Sequence, residues 1–297
     1  MDRRRATQLL AGSAMTAASG IGSAWSGTSA GRESDQVVYP RHLHQQDPQV
    51  DYLARLLQLA LQRSGRSYRL EAVSSGMVQS RALLELAGER PSIDVFWTMT
   101  DEERESQLLP VRVPLLRGLI GWRLALVRRA DRERFAGVRS LADLARFSAG
   151  QMHDWPDTQI LRANGLPVTV GTSYQGLFQM LARGRFDYFP RSLIEIDGEL
   201  NAYPELNLAI EPHLLLHYPA ALYIFVRPGR PRLAADLTRG MEALVADGTF
   251  DRLSRELLSP LLQRHQLALR RVLRLKNPLL PKATPLDRPQ LWLPLPG

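Results

Sequence analysis

Arg185 and Arg191 flank an apolar Phe-Asp-Tyr-Phe step in the stretch GRFDYFPRS, residues 184–192. Aromatic walls with a few ionised anchors suit a small polar or aromatic-bearing solute. The same residue types gather where strands end or helices begin: Tyr39 and Arg41; Trp97, Thr98, Thr100 and Arg104; Asp154, Trp155, Asp157 and Thr158; Tyr188 and Arg191. Enzyme chemistry has little support. The histidines His42, His44, His153, His213, His217 and His265 show no metal-ligand spacing, and no nucleophile-elbow or phosphate-loop motif occurs. His153 beside Asp154 is the one pair with the makings of a general base. No catalytic residue, metal ligand or cofactor is assigned.

The chain has 297 residues, 44% hydrophobic and 23% charged, enough for two domains with their own cores. Its formal charge of +8 is concentrated at the ends. Residues 1–30 hold Arg3, Arg4 and Arg5 against Asp2, and residues 262–297 hold seven Lys or Arg against Asp287, leaving 28 of each sign between them. A neutral body lacks the clustered cations that displace counterions from phosphates, so no nucleic-acid partner is expected. Cysteine is absent, which excludes disulfides, thiolate metal sites and a cysteine nucleophile, and which fits an oxidising compartment.

The first thirty residues have a basic start, a weakly apolar small-residue stretch and an Ala-rich end, the pattern of a secretory signal, with cleavage expected after Ala24 or Ala30. The adjacent arginines also resemble a twin-arginine signal. Export by that route or the Sec route implies a periplasmic protein.

The elements that must position the candidate residues alternate. DQVVYP reads as a strand. DPQVDYLARLLQLALQRSG reads as a helix capped by Asp47, with Leu53, Leu56, Leu57, Ala60 and Leu61 on one face. YRLEAV, a helix near VQSRALLELAG and IDVFWTM complete a β-α-β-α-β order that favours a parallel sheet. After the strand-like GWRLALVRR a second cycle follows. It comprises SLADLARF, SAGQM, a helix DWPDTQILRANG stopped by Gly165, LPVTVG, a helix TSYQGLFQMLARG opening with a Thr172 to Gln175 capping box, and FDYFP. LNLAIEP and AALYIFVRPG return the chain, and two helices broken at Asp247-Gly248 close it.

In this order, "T…R" after a third strand, PVRVPLLRGLIGWRLALVRRAD, VRSLADL, GRFDYF, ALYIFVRPG and MEALVADGTFDRL resemble the extracytoplasmic solute-binding proteins of amino-acid ABC importers, a family 3-like, type II periplasmic binding protein. The resemblance implies an α/β, two-lobed Venus-flytrap fold, each lobe a mostly parallel sheet flanked by helices. The expected organisation is a signal peptide at 1–30, lobe 1 at 36–120, lobe 2 at 121–215, a return to lobe 1 at 216–261 and a basic, Pro-rich extension at 262–297.

The resemblance further implies a monomer that binds a small solute and hands it to the permease of an ABC importer; a solute sensor for a membrane receptor and a dehydratase-like enzyme are the alternatives. In such relatives an arginine after a threonine grips the ligand carboxylate, a role that falls here to Arg104 after Thr100, one residue further than usual. The position expected to carry an acid for the ammonium falls near Arg191. An ammonium set beside an arginine is repelled, so the expected solute is not a plain α-amino acid, and Arg104 and Arg191 become anion anchors from opposite lobes. Asp154 and Asp157 are expected to cap their helix and occupy the amides a carboxylate would use.

In the extension, LLQRHQLALRRVLRLK has apolar and basic residues at helical spacing, and the remainder holds six of the twenty prolines. The first part reads as a basic amphipathic helix, lying on a membrane or packing its leucines on the first lobe.

Overall fold

The computed structural model describes residues 35–41, 48–74 and 79–295. Contacts divide the chain into residues 1–32 and 33–297, and every described residue belongs to the second unit. The secretory signal, the Asp47 cap, His42 and His44 lie outside the described residues.

The first lobe begins with β1 (Gln36–Arg41), α1 (Pro48–Arg63), β2 (Arg69–Ser74), α2 (Gln79–Ala87), β3 (Val95–Met99), α3 (Glu102–Gln107) and β4 (Leu109–Val111). The chain then crosses into a second lobe. It holds β5 (Trp122–Arg128), α4 (Leu141–Leu144), β6 (Ala149–Met152), α5 (Pro156–Ala163), β7 (Val168–Gly171), α6 (Tyr174–Ala182), β8 (Phe189–Ser192), α7 (Ile196–Ala202), β9 (Leu208–Ile210) and β10 (Leu214–His217). A second crossing leads to β11 (Leu222–Val226), α8 (Pro231–Ala246) and α9 (Thr249–Arg264), after which β12 (Arg271–Arg274) returns to the second lobe.

The β-α-β segments pair as parallel strands: β1 with β2, and β6 with β7. The sheets are otherwise less parallel than expected. β11 runs antiparallel between β3 and β4, and β5 runs antiparallel to β8, β9 and β10. The physical reason is the double crossing: a strand that leaves one lobe and a strand that comes back to it travel in opposite directions.

The apolar face of α1 is buried as its spacing requires, with Leu56, Leu57 and Ala60 fully covered. It packs on α8, and the two backbones approach most closely at Gly240, where a Cβ would overlap the main-chain carbonyl of Ala60. The four glycines that end helices, Gly65, Gly165, Gly184 and Gly248, all take positive φ, the left-handed turn that glycine adopts at least cost.

Three expectations are corrected. The cap of α6 is Ser173, whose side chain accepts from the Gly176 N–H, rather than Thr172. α9 stops at Arg264, so the basic stretch beyond it is no amphipathic helix. There β12 adds parallel to β10, with the Arg271 N–H donating to the His213 carbonyl at 2.8 Å. The edge of β10 presents backbone donors and acceptors that β12 pairs. Third, the leucines of the extension are not confined to the first lobe, since Leu273 is buried on the second-lobe sheet.

Two outcomes follow. Gly240→Ala, forced against a backbone atom that cannot swing aside, is expected to lower stability by about 1–3 kcal/mol in urea melts. His217 is partly buried at the end of β10 with its ring 6.2 Å from Trp122, and burial, with Arg274 adding to it, pushes its pKa down to about 4. Below about pH 6.5 the unfolded chain takes up a proton that the folded chain refuses until pH 4, so stability present above 6.5 is lost as pH falls through that window. Melting curves of His217→Gln should show a shallower loss of Tm between pH 6.5 and 4 than those of the parent chain.

Candidate functional site

On the first lobe, β3 ends at Met99 between Thr98 and Thr100, both buried, and hands the chain to α3. Asp101 caps α3 by accepting from the Arg104 N–H at 2.8 Å, which turns the Arg104 side chain back toward the strand end. There Nη1 donates to the Met99 carbonyl at 2.5 Å and to Thr98 Oγ1 at 3.3 Å, while Nε lies 3.3 Å from the Asp101 carboxylate. The guanidinium is thus gripped from one side only, with its side chain 12% exposed. Burial lowers its pKa, and Asp101, Asp157, Glu103 and Asp154 pull the other way. Two of those four carboxylates, Asp154 and Asp157, belong to the second lobe, so charges of the two lobes face each other here.

Thr100 does not join that grip. Its hydroxyl donates to Glu105 at 2.7 Å, and Glu105 pairs with Arg112. Tyr39 is buried in the core with its ring 5.7 Å from the half-buried Trp97. Arg41 lies at the end of β1, and its side chain is outside the described residues.

On the second lobe, the capping expectation for Asp154 and Asp157 is corrected. The cap position of α5 is Trp155, with no side-chain bond, and Pro156 fills the first turn. Asp154 is exposed. Asp157 is buried and turned to Arg123, whose Nη2 stands 2.7 Å away, and it accepts from the Tyr218 hydroxyl. Thr158 is also buried, donating to the Met152 carbonyl at 2.7 Å. His153 is exposed, and its Nδ1 sits 3.4 Å from the Gly171 carbonyl.

Arg191 is likewise corrected, from an unpaired anion anchor to a buried, paired cation. Glu199 takes Nε at 2.8 Å on both oxygens and Nη2 at 2.5 Å, and Glu195 takes Nη2 at 3.0 Å. Its Cζ lies 4.6 Å from the ring centre of Trp155, 5.0 Å from Phe189 and 5.8 Å from Tyr174. Burial works against its charge, but Glu199 and Glu195 outweigh burial and raise its pKa. The Tyr174 hydroxyl closes the array by donating to Glu199 at 2.6 Å. Trp155 and Arg191 therefore meet, as Arg191's covering ring and its charge. Tyr188 does not meet them: it is buried in the second-lobe core, its ring 5.8 Å from Phe135.

Glu195 joins the two arginines, since its carboxylate also stands 3.8 Å from Arg123 Nη1. The side chains Asp157, Arg123, Glu195, Arg191 and Glu199 form a row of alternating charge with one negative charge in excess. Burial raises the pKa of Glu195, opposed by Arg191 and assisted by Glu199. Two members of the row, Glu199 and Arg123, escaped the sequence reading, whereas the four-residue spacing from Arg191 to Glu195 offers a surface pair. Glu199 had a signal, its four-residue spacing from Glu195, the residue before α7, which sets both on the same side. Arg123 had a fainter one, a lone charge inside the apolar strand GWRLALV. Among the described residues no group of three or more His, Asp or Glu is placed to hold a metal ion, and no helix is long and apolar enough to cross a membrane.

No protein-family model and no curated protein matches the chain in sequence. Solved structures do match in shape. An ancestral arginine-binding protein bound to glutamine aligns with a TM-score of 0.55 at 17% identity, over 75% of this chain and 98% of that one. The VFT2 domain of Bordetella pertussis BvgS aligns at 0.54 and 18% identity, over 75% and 92%. A histidine kinase sensor domain with similarity to periplasmic binding proteins aligns at 0.50 and 18% identity, over 70% and 85%. At these identities the likeness establishes the fold, the two-lobed Venus-flytrap architecture of periplasmic binding proteins.

The row of charges makes a prediction about stability. Glu199→Ala leaves Arg191 buried beside a single carboxylate and is expected to cost about 3–5 kcal/mol, whereas the double change Arg191→Met with Glu199→Leu should cost far less. Urea denaturation of the three proteins checks the ordering.

Proposed function

We propose that this chain, built on the Venus-flytrap fold, binds a small polar solute between its lobes outside the cytoplasm and delivers it to the permease of an ABC importer. The fold and the site support binding rather than turnover: the site residues are charges held in place, and among the described residues of the site no nucleophile and base are in contact. The observation that carries the reading is Arg104. A desolvated guanidinium is held on one side by Thr98, Met99 and Asp101 and confronted across the cleft by carboxylates of the other lobe. A carboxylate entering between them finds a charge-assisted donor already oriented.

The second lobe sets the other half of the preference. The ground for excluding an α-amino acid was an unpaired Arg191, and Glu195 and Glu199 remove it. With its excess of one negative charge, the row favours a cationic group on the solute. The solute class is then a compound with one carboxylate and one cationic group. Sensing for a membrane receptor uses the same lobe closure and is a second reading, supported by the likeness to a kinase sensor domain.

A thermal-shift screen against amino acids, dicarboxylates, aromatic acids and polyamines tests the reading, because a ligand bound only by the folded state raises Tm by mass action. A zwitterionic compound should raise Tm, and Arg104→Ala should weaken its binding about 10–100-fold, the worth of one hydrogen bond to a charged group. Stabilisation by dicarboxylates alone, or binding indifferent to Arg104→Ala, would sink it.

A further inference from the structure

The carboxy-terminal stretch is anchored on both lobes. On the second lobe, β12 pairs with β10, the Leu275 N–H donates to the His217 carbonyl at 2.7 Å, and Asn164 exchanges two hydrogen bonds with the Lys276 backbone at 2.7 and 2.9 Å. Asn277 then donates to the Pro219 carbonyl at 2.8 Å, on the crossing between β10 and β11. On the first lobe, Arg288 forms two hydrogen bonds with Glu242 of α8 at 2.7 and 2.8 Å, and Leu291 is fully buried. The Leu293 N–H donates to the Arg117 carbonyl at 2.9 Å, on the crossing between β4 and β5. The Trp292 ring lies against Gly118 so closely that a Cβ there would collide with it.

We propose that residues 275–295 form a strap that sets the angle between the lobes. Opening a flytrap rotates one lobe against the other about the connecting segments. The chain already links the lobes after β4, after β10 and between α9 and β12, and a fourth covalent path, docked on both lobes and touching the first two of those links, must lengthen or undock for that rotation to proceed. It has little slack. Between its anchors the stretch carries Pro278, Pro281 and Pro285, whose rings fix φ, and a turn in which the Thr284 N–H donates to the Pro281 carbonyl at 3.0 Å. Between strap and crossings lies a pocket of about 230 Å³, lined by Trp122, His217, Trp292 and Leu293 among others.

The absence of cysteine allows two labels to be placed without background. Leu84→Cys on α2 and Arg146→Cys after α4 put spin labels on exposed positions of opposite lobes. In the full chain, residues 279–284 are replaced by a specific-protease recognition sequence, and the inter-spin distance distribution is recorded before and after cleavage of the folded protein, without ligand. Severing the strap while both ends stay docked should broaden the distribution and extend it to longer distances; an unchanged distribution overturns the proposal. A second chain, ended after Asn277 so that β12 is kept and checked for folding by circular dichroism, gives the same two outcomes: a broad distribution supports the strap, and one matching the uncut protein refutes it.

Discussion

Two arginines buried within the second lobe constrain everything around them. Arg123 and Arg191 are each about 4% exposed, and a guanidinium cannot shed its proton at any pH the protein meets, so carboxylates have to be brought to them. That requirement explains why α5 turns Asp157 inward rather than using it as a cap. It also explains why α7 follows β8 after three residues, with Glu195 just before it and Glu199 on it turned to the same side, and why Trp155, Phe189 and Tyr174 surround Arg191. Rings that sit on a buried cation are held by it, so Trp155, Phe189 and Tyr174 are fixed together with the row of charges.

The alternation of strands and helices was legible because each element states its own period and its own stop. α1 shows a clean apolar face, and Gly165, Gly184 and Gly248 mark helix ends that only a positive φ completes. What was not legible depends on partners distant in sequence. The four residues of β10, Leu-Leu-Leu-His, show neither period, and β12 has helical spacing of leucine and arginine yet becomes a strand because β10 offers it an edge. The same holds at the site. Arg104 was singled out through the resemblance, by its place after Thr100, but the role of Arg191 was reversed by carboxylates four and eight residues downstream, and Arg123 gave almost no sign within an apolar strand.

The two walls of the cleft differ in kind, and the difference bears on selectivity. In the buried row of the second lobe each ionised group already has its partner, so on the proposed function a solute there would meet the residual negative charge of the row and the exposed Asp154. In the first lobe Arg104 is fixed by neutral oxygens and one aspartate, and its remaining attraction points across the cleft toward Asp154 and Asp157. On the proposed function, a solute carboxylate at Arg104 would compete with the carboxylates of the second lobe, and it would bind to advantage only if it brought a positive charge to replace Arg104 as their partner. A dianion would leave that lobe's negative charge unanswered, and a simple cation would leave Arg104 where it began. Discrimination then arises from how the charges of the closed cleft must be rearranged, with the rigid row fixing what the solute has to supply.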